Sequence, residues 1–307
     1  MAPENSADRK PMSSRDGALA AAYESAARAQ RSKWWQAHWA EAASPLVRAA
    51  LLIAILSVVL LPIVYLLALS LKTPDQVLEG LFLPTKPTLR NWINIFQNVP
   101  LALYIGNSVV AAISGSLITL VITIPAVYAF SRIKIGRFLP GLILGSYMAP
   151  PMVPLIPLFF LAKWSGLIHT LPGLIICYGL LNIPVALWLL TGFIERIPEE
   201  IEEAAAIDGA SVLRTLCQIV FPLMLPGVVS TGLICVILNY NEFLFAFFFT
   251  SNTTRTLPIG IALFQGERLV DFGQMAVASL IGVLPIYLTA IFAQKWLVRG
   301  LTTGAGR

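Results

Sequence analysis

The chain has 307 residues, of which 57% are hydrophobic and only 12% are charged, and its formal net charge is +5. Soluble domains carry about 25% charged residues, so this composition argues against a water-soluble globular protein. The chain contains several apolar runs of about 20 residues and lacks the short alternating pattern of membrane β-barrel strands, which together indicate membrane-spanning helices.

Residues 1–46 form a polar N-terminal tail. The tail has no short apolar region near its start, so it is not predicted to be a cleavable signal peptide. One interpretation is a helix over residues 16–43 with Trp34, Trp35 and Trp39 at the membrane surface. The other interpretation is a largely disordered tail.

Six apolar segments follow, and each is long enough to cross the hydrocarbon core as a helix. The predicted spans are 49–71, 103–130, 139–162, 171–194, 219–249 and 273–295. The predicted fold is an all-α integral membrane protein with six transmembrane helices. Prolines crowd the third span, where they favour kinks. Such kinks serve either a pathway for solute or simple helix packing.

Basic residues are concentrated in alternate connections between the spans. They are Arg28, Arg31, Lys33 and Arg48 before the first span, Arg132, Lys134 and Arg137 in the loop 131–137, and Lys295, Arg299 and Arg307 at the C-terminus. By the positive-inside rule these segments face the cytoplasm. Both termini, and the connection between the fourth and fifth spans, are therefore predicted to be cytoplasmic. The positive charge reflects this topology, and no nucleic-acid partner is predicted.

The three cysteines, Cys177, Cys217 and Cys235, lie in or beside apolar segments and are predicted to be small buried residues. Their odd number argues against a disulfide framework. The two histidines, His38 and His169, are far apart in the sequence. No metal site is therefore predicted.

The connection between the fourth and fifth spans has the pattern of two helices joined by a tight turn. Pro198 suits a first helical turn, and the four glutamates within residues 199–203 complement the positive end of the helix. Alanines 204–206 favour a helix with little bulk. Gly209 is expected to end it in a left-handed conformation, and Ser211 to cap a second helix. From the residues alone, this segment is either a surface for another protein or a plain amphipathic loop helix.

Residues 203–222 resemble the EAA loop of the permeases of ABC importers, whose pattern is E-A-A-x3-G-x9-I-x-L-P. The matching residues are Glu203, Ala204, Ala205, Gly209, Ile219 and Pro222. The one departure is Phe221, where leucine is usual, and it keeps an apolar residue before the proline. The stretches IPEEIEEAAAIDGAS, NYNEFLFAFFF, RTLPIGIALFQGE and LVRGLTTGA also resemble maltose-type carbohydrate permeases, in particular the six-span partner subunit of the heterodimer.

The resemblance implies a function and a set of partners. In this family the EAA helix is a coupling helix that docks in a cleft of a cytoplasmic ATPase subunit. The implied docking core is Glu203, Ala204, Ala205, Asp208 and Gly209, with Ile219 and Pro222 in the same ATPase-coupling segment. The implied partners are a homologous permease subunit, two cytoplasmic ABC ATPase subunits and a periplasmic or lipid-anchored solute-binding protein. ATP and magnesium are used by the ATPase, and no cofactor is expected in this chain.

The resemblance also implies a division of the chain. The segments are an N-terminal tail (1–46), a first transmembrane helix (47–72), a periplasmic loop (73–102), a type-1 permease core (103–296) with its coupling loop (195–218), and a C-terminal tail (297–307). The outward loops 73–101 and 250–272 are expected to meet the solute-binding protein. The predicted function is a non-catalytic permease subunit, forming half of the pathway for a sugar or a related polyol or glycoside across the bacterial inner membrane.

Apart from Lys295 at the end of the sixth, Glu242 is the one formal charge inside a predicted span. Charges cost several kcal/mol in lipid, so they usually face protein or water. The residues around it, Asn239, Tyr240 and Asn241, offer the hydrogen bonds and aromatic face that a sugar needs, and Asn182 and Gln274 are further candidates. The alternative is a polar clamp between helices, and this is the favoured interpretation for Glu242.

Three other functions compete with the importer. A secondary transporter would need ion-coupling carboxylates and usually paired repeats. A membrane enzyme would need a catalytic motif, but HExxH is absent, and Leu142 stands where a P-loop beginning at Gly136 would need lysine. A permease for a non-sugar solute would share the EAA loop, so only the flanking stretches select carbohydrate.

Overall fold

The computed structural model describes Arg28 and residues 45–136, 138–264 and 270–304, with the backbone alone described at 46, 292, 293 and 295–304. Apart from Arg28, the predicted helix over 16–43 lies outside these residues, as do Arg137 and part of the outward loop 250–272. The chain divides into two units, residues 1–63 and 64–307. Helix α1, Pro45–Ser70, begins in the first unit and ends in the second. Within the first unit its large apolar side chains are exposed from Val47 to Leu61, as in a helix that is apolar all round and spans a membrane.

The second unit is built of helices. In chain order they are α2 Pro74–Leu78, α3 Arg90–Asn98, α4 Leu101–Tyr128, α5 Leu139–Tyr147, α6 Met152–Trp164, α7 Leu171–Leu181, α8 Ile183–Ile194, α9 Glu199–Ile207, α10 Val212–Thr215, α11 Phe221–Tyr240, α12 Leu244–Phe249, α13 Leu257–Ala262 and α14 Phe272–Gly304. Two π-helical turns extend the long helices. Ala129–Ile133 continues α4, and Leu216–Val220 joins α10 to α11.

Four helical stretches of the described chain are long and apolar enough to cross a membrane. They are Val47–Ser70, Leu101–Ile133, Val212–Tyr240 and Phe272–Ile291. Two bent pairs add one span each when the pair is counted together: α5 with α6, bent by 99°, and α7 with α8, bent by 45°. The predicted all-α membrane fold is confirmed, and counting each bent pair as one span gives the six predicted spans.

Three predicted spans differ in detail from the observed helices. The third is broken between α5 and α6, where Pro150 and Pro151 remove two backbone donors. The fourth is broken at Asn182, two residues before Pro184. The fifth ends at Tyr240 rather than at residue 249, and α12 follows as a separate helix. Its start also differs, because the helix capped by Ser211 continues through the π-helical turn into α11.

Helix α4 lies at the centre of the second unit, where it packs against α7, α8 and α11. Two glycines bring the α4 and α7 backbones close together. A Cβ atom added at Gly115 would lie 2.7 Å from Tyr178 Cβ, and one added at Gly179 would lie 2.6 Å from Ile118 Cγ2. Small residues at such contacts are typical of helix packing in membranes. The Thr119 hydroxyl adds a hydrogen bond to the Gly179 carbonyl at 2.8 Å.

The cysteine prediction holds for two residues. Cys177 and Cys235 are buried free thiols. Cys217 is exposed, so its predicted burial was wrong. The reason is its place in the π-helical turn, on the side of the helix that faces away from the core residues Leu216 and Val220.

Candidate functional site: the α9 segment and the central cleft

Helix α9 is set by local signals at both of its ends. Pro198 is the N-cap residue rather than part of the first turn, and acidic residues follow it directly. Gly209 has a φ of +80°, the left-handed conformation predicted for it. The amides of Gly209 and Ala210 close the helix by donating to the carbonyls of Ala206 (3.0 Å) and Ala205 (2.9 Å). The sequence therefore builds a short helix with a sharp and well-defined end.

A cap also starts the helix that follows. The Ser211 hydroxyl accepts a hydrogen bond from the Arg214 amide at 3.4 Å, as the sequence predicts. Ile219 is half-buried in the π-helical turn, and Pro222 is exposed at the second position of α11. Both residues therefore belong to the start of the fifth span rather than to α9 itself.

Helix α9 has two different faces. Glu203, Ala204, Ile207 and Asp208 are exposed on one side, here called the outer face, and Gly209 continues it. Ala205, which the resemblance places in the docking core, is buried and therefore contacts the bundle. Ile207 is 87% exposed. One exposed apolar side chain is not unusual, but Ile207 together with the exposed Val212 and Leu213 makes this segment a candidate surface for another protein.

Ile207 is a candidate contact for another protein that the sequence analysis did not identify. It falls between the motif positions, and the EAA pattern leaves its type open. The next exposed aliphatic residues are Val212 and Leu213, just beyond the turn. The available signal was an isoleucine outside any apolar span, in a helix whose other residues, apart from Ile201, are alanine or glutamate.

The second group of candidates, Asn239 to Glu242, is used within the bundle. Asn239 is buried, and its Nδ2 donates to Ser116 Oγ at 3.1 Å on α4. Asn182 Nδ2 donates to Asn239 Oδ1 at 2.6 Å. Tyr240 donates its hydroxyl to the Gly282 carbonyl at 2.8 Å, which fixes α11 to α14. Asn182, Asn239 and Tyr240 therefore connect helices, as polar groups inside membranes commonly do.

Glu242 and Asn241 lie between α11 and α12, not inside a helix. The two carboxylate oxygens of Glu242 accept the amides of Phe245 and Ala246, each at 3.0 Å, and so cap α12. The Glu242 carboxylate therefore caps the helix of its own segment, whereas the favoured prediction was a clamp between helices. The Tyr178 hydroxyl on α7 donates to the Glu242 backbone carbonyl at 3.4 Å. Asn241 is exposed, and its Nδ2 donates to Ile237 O at 2.8 Å. The remaining candidate, Gln274, donates to Asp271 Oδ2 at 2.7 Å.

A cleft of about 670 Å³ lies where three helix breaks meet. Pro151 lines it from the break between α5 and α6, Asn182 from the break between α7 and α8, and Glu242 from the break between α11 and α12. Asn239 and Tyr147 line it as well. Broken helices at membrane depth are tolerated where they line a cavity, and transporters build solute sites from such breaks. The volume falls within the range of about 300–1,000 Å³ of small-molecule sites.

Comparison with known families identifies the class of protein. Residues 80–303 match the family described as binding-protein-dependent transport system inner membrane component. This match covers more than half of the chain and includes α9 and the cleft. The chain belongs to this family, as the EAA resemblance predicted.

Characterised relatives support the assignment. The trehalose/maltose transport system permease protein MalG of Thermococcus litoralis is 36% identical over 266 residues, which are 85% of this chain and 95% of that protein. The sulfoquinovosyl glycerol transport system permease protein SmoH of Agrobacterium fabrum is 34% identical, over 80% of this chain and 88% of its own. The trehalose transport system permease protein SugB of Mycobacterium tuberculosis is 31% identical, over 80% and 92%.

A solved structure shows the same fold. It is a chain from a bacterial ABC transporter involved in the import of the acidic polysaccharide alginate. The TM-score is 0.66 at 23% identity, and the match covers 81% of this chain and 95% of that one. The arrangement of helices is therefore that of an ABC importer permease.

Proposed function

We propose that this chain is a permease subunit of an ATP-driven importer and forms half of the pathway for a sugar or a related polyol or glycoside across the bacterial inner membrane. The observation that carries the proposal is the outer face of α9. It is small, acidic and apolar at Ile207, and it is exposed at the end of a membrane bundle whose family depends on a binding protein. The chain itself is non-catalytic and holds no cofactor, and ATP and magnesium are used by the partner ATPase.

The partners follow from the two ends of the bundle. On the cytoplasmic side, the outer face of α9 docks on one of two ABC ATPase subunits. A homologous permease subunit completes the pathway, and a periplasmic or lipid-anchored solute-binding protein meets the outward loops. Arg132 and Lys134, at the same end of α4 as α9, support this orientation and cytoplasmic termini through the positive-inside rule.

The central cleft favours an uncharged solute. Among the described residues that line it, Ser146 and Tyr147 supply hydroxyl groups, and none is lysine or arginine. The one acidic residue there, Glu242, has both oxygens bound by backbone amides. A sugar satisfies such a site with hydroxyl groups and an aromatic contact, whereas an anionic solute would find no counter-charge. The names of the trehalose and maltose relatives fit an uncharged sugar, whereas sulfoquinovosyl glycerol and alginate are anionic, so the names together support the carbohydrate class.

The first test is affinity purification of the tagged chain from native membranes, followed by mass spectrometry and an ATPase assay. The proposal expects one ATPase, one homologous permease and one solute-binding protein, and the ligand of that binding protein names the solute. An untagged membrane preparation gives the background. If the ligand of the binding protein is charged and is not a sugar, the proposed solute class is wrong, but the proposed importer function stands. Recovery of the chain alone, without ATP hydrolysis, would favour a secondary transporter.

A further inference from the structure

One arginine fastens the inner side of α9 to the end of α4. Arg132 Nε donates to Glu202 Oε1 at 2.7 Å, and Nη1 donates to Glu199 Oε1 at 3.1 Å. Its Nη2 donates to the carbonyl oxygens of Ile194, at 2.9 Å, and of Ile197. A single guanidinium group therefore holds α9, the end of α8 and the connection between them against the π-helical turn that ends α4.

The contact between Arg132 and Glu202 is shielded from water. Their side chains are 10% and 12% exposed, whereas Glu199 is 61% exposed. Exposed ion pairs contribute little because solvent screens them, but a charge-assisted hydrogen bond shielded from solvent is strong and directional. The link between α4 and α9 therefore depends on Glu202 more than on Glu199.

The other end of α4 is fastened to an outward segment. Asn107 Nδ2 donates to the carbonyls of Thr253 at 3.1 Å and Arg255 at 2.9 Å. The next residue, Ser108, accepts the Leu257 amide at 2.8 Å through its hydroxyl. Asn107 and Arg132 are separated by about 37 Å along the helix, at about 1.5 Å per residue. One helix thus carries polar attachments to a segment at each of its ends.

We propose that Arg132 and Asn107 are positioning residues that make α4 the mechanical connection between α9 and the outward segment 253–257. Movement imposed on the outer face of α9 passes through Glu202 and Arg132 into α4, and through Asn107 to residues 253–257. The inference rests on the proposed function, because it takes the outer face of α9 to be the ATPase site. In the proposed importer, neither residue touches the solute or the ATPase.

The test follows an outward residue while nucleotide acts on the cytoplasmic side. Asn252 is exposed beside the attached segment, so an Asn252→Cys variant in a Cys217→Ser background reports on it. The complex is purified with its co-purifying partners, and the labelling rate by a maleimide is measured with and without Mg-ATP and vanadate. We expect nucleotide trapping to change this rate, and Arg132→Gln and Glu202→Gln to reduce the change at least fivefold while ATP hydrolysis continues. Asn107→Ala should remove the change as well.

Matched variants separate positioning from general damage. Glu199→Gln alters the exposed partner of Arg132 and should keep most of the nucleotide response. Arg132→Lys retains the charge but not the forked geometry, so it should restore only part of the response.

Three outcomes would overturn the proposal. The first is an unchanged nucleotide response in both Arg132→Gln and Glu202→Gln. The second is the absence of any response in the parent chain while ATP is hydrolysed. The third is failure of both variants to insert, which would assign the cluster to folding. Failure of the proposed function gives a different result, because no ATPase would then purify with the parent chain.

Discussion

Helix α9 and the segment 239–242 are both polar stretches in an apolar chain, yet the structure uses them in opposite ways. The polar and small residues of the α9 outer face are exposed. The side chains of Asn239, Tyr240 and Glu242 are bound by α4, α14 and α12, respectively. The exposed groups of α9 are therefore available to a partner, while Asn239, Tyr240 and Glu242 are already used to hold the bundle together.

The strongest test of this contrast is at Gly209. Its φ of +80° suits glycine, and an added Cβ would meet nothing within 4 Å. Gly209→Val therefore strains the turn by about 1–2 kcal/mol, while its Cβ atom has room within the chain. If a partner covers this surface, uptake of the solute identified with the binding protein should fall at least about tenfold, equal to about 1.4 kcal/mol, at an unchanged amount of inserted protein.

Gly209→Asn is the matched control, because asparagine tolerates the left-handed conformation. Full recovery with asparagine would assign the defect to backbone strain. Continued loss would assign it to bulk at a docked surface. Normal uptake by the valine variant would remove Gly209 from the coupling site.

The next largest effect is expected at Asn239, in the buried segment that is compared with α9. Asn239→Leu leaves buried Asn182 without its 2.6 Å partner and removes the bond to Ser116. An unsatisfied buried polar group costs about 1–3 kcal/mol, so the melting temperature of the purified protein should fall. Asn241→Leu, which changes an exposed residue two positions away, should melt like the parent. Equal melting of the two variants would contradict the role of Asn239 in holding helices together.

Ile207 tests the apolar part of the outer face. Burying an isoleucine side chain contributes about 1.5–3 kcal/mol, so Ile207→Ala should weaken binding of the ATPase about tenfold. The measurement is a titration of detergent-solubilised permease with the purified ATPase. Ile93→Ala on α3, another exposed isoleucine, should bind as the parent does. An unchanged affinity for Ile207→Ala would show that the ATPase does not cover this side chain.

The smallest effect is expected at Glu242. Glu242→Gln weakens the cap of α12, a change of about 1 kcal/mol in stability. The KM should be unchanged, since the carboxylate oxygens are bound to the amides of Phe245 and Ala246, and any loss of uptake should follow the amount of folded protein. A raised KM would instead place Glu242 in contact with solute.

The sequence predicted those features of the fold and site that depend on neighbouring residues. Gly209 and Ser211 act through backbone conformation and a local hydrogen bond, so their roles were visible from residue type and spacing. The apolar lengths of the spans were visible for the same reason. The end of the fifth span was not, because residues 244–249 are as apolar as the helix before them and hide the break at 241–243.

Sequence patterns did not predict which residues lie next to each other in the folded chain. Glu202 and Glu203 are adjacent and chemically identical, but successive residues of a helix point about 100° apart. One therefore lies against Arg132 while the other is exposed. Likewise, the prolines predicted kinks, but only the structure shows that the breaks at Pro151, Asn182 and Glu242 line one cleft.

The close contact of α4 with α7 determines which parts of the protein are able to move. Gly115 and Gly179 face Tyr178 and Ile118. Sliding one helix past the other would drive these side chains into the backbone, so we expect α4 and α7 to move as one rigid unit. Bending is therefore left to the breaks around the cleft, where proline and irregular backbone interrupt the helices. The hinges of the protein therefore lie around the cleft, and a shift of the α4–α7 unit changes the shape of the space that solute would occupy.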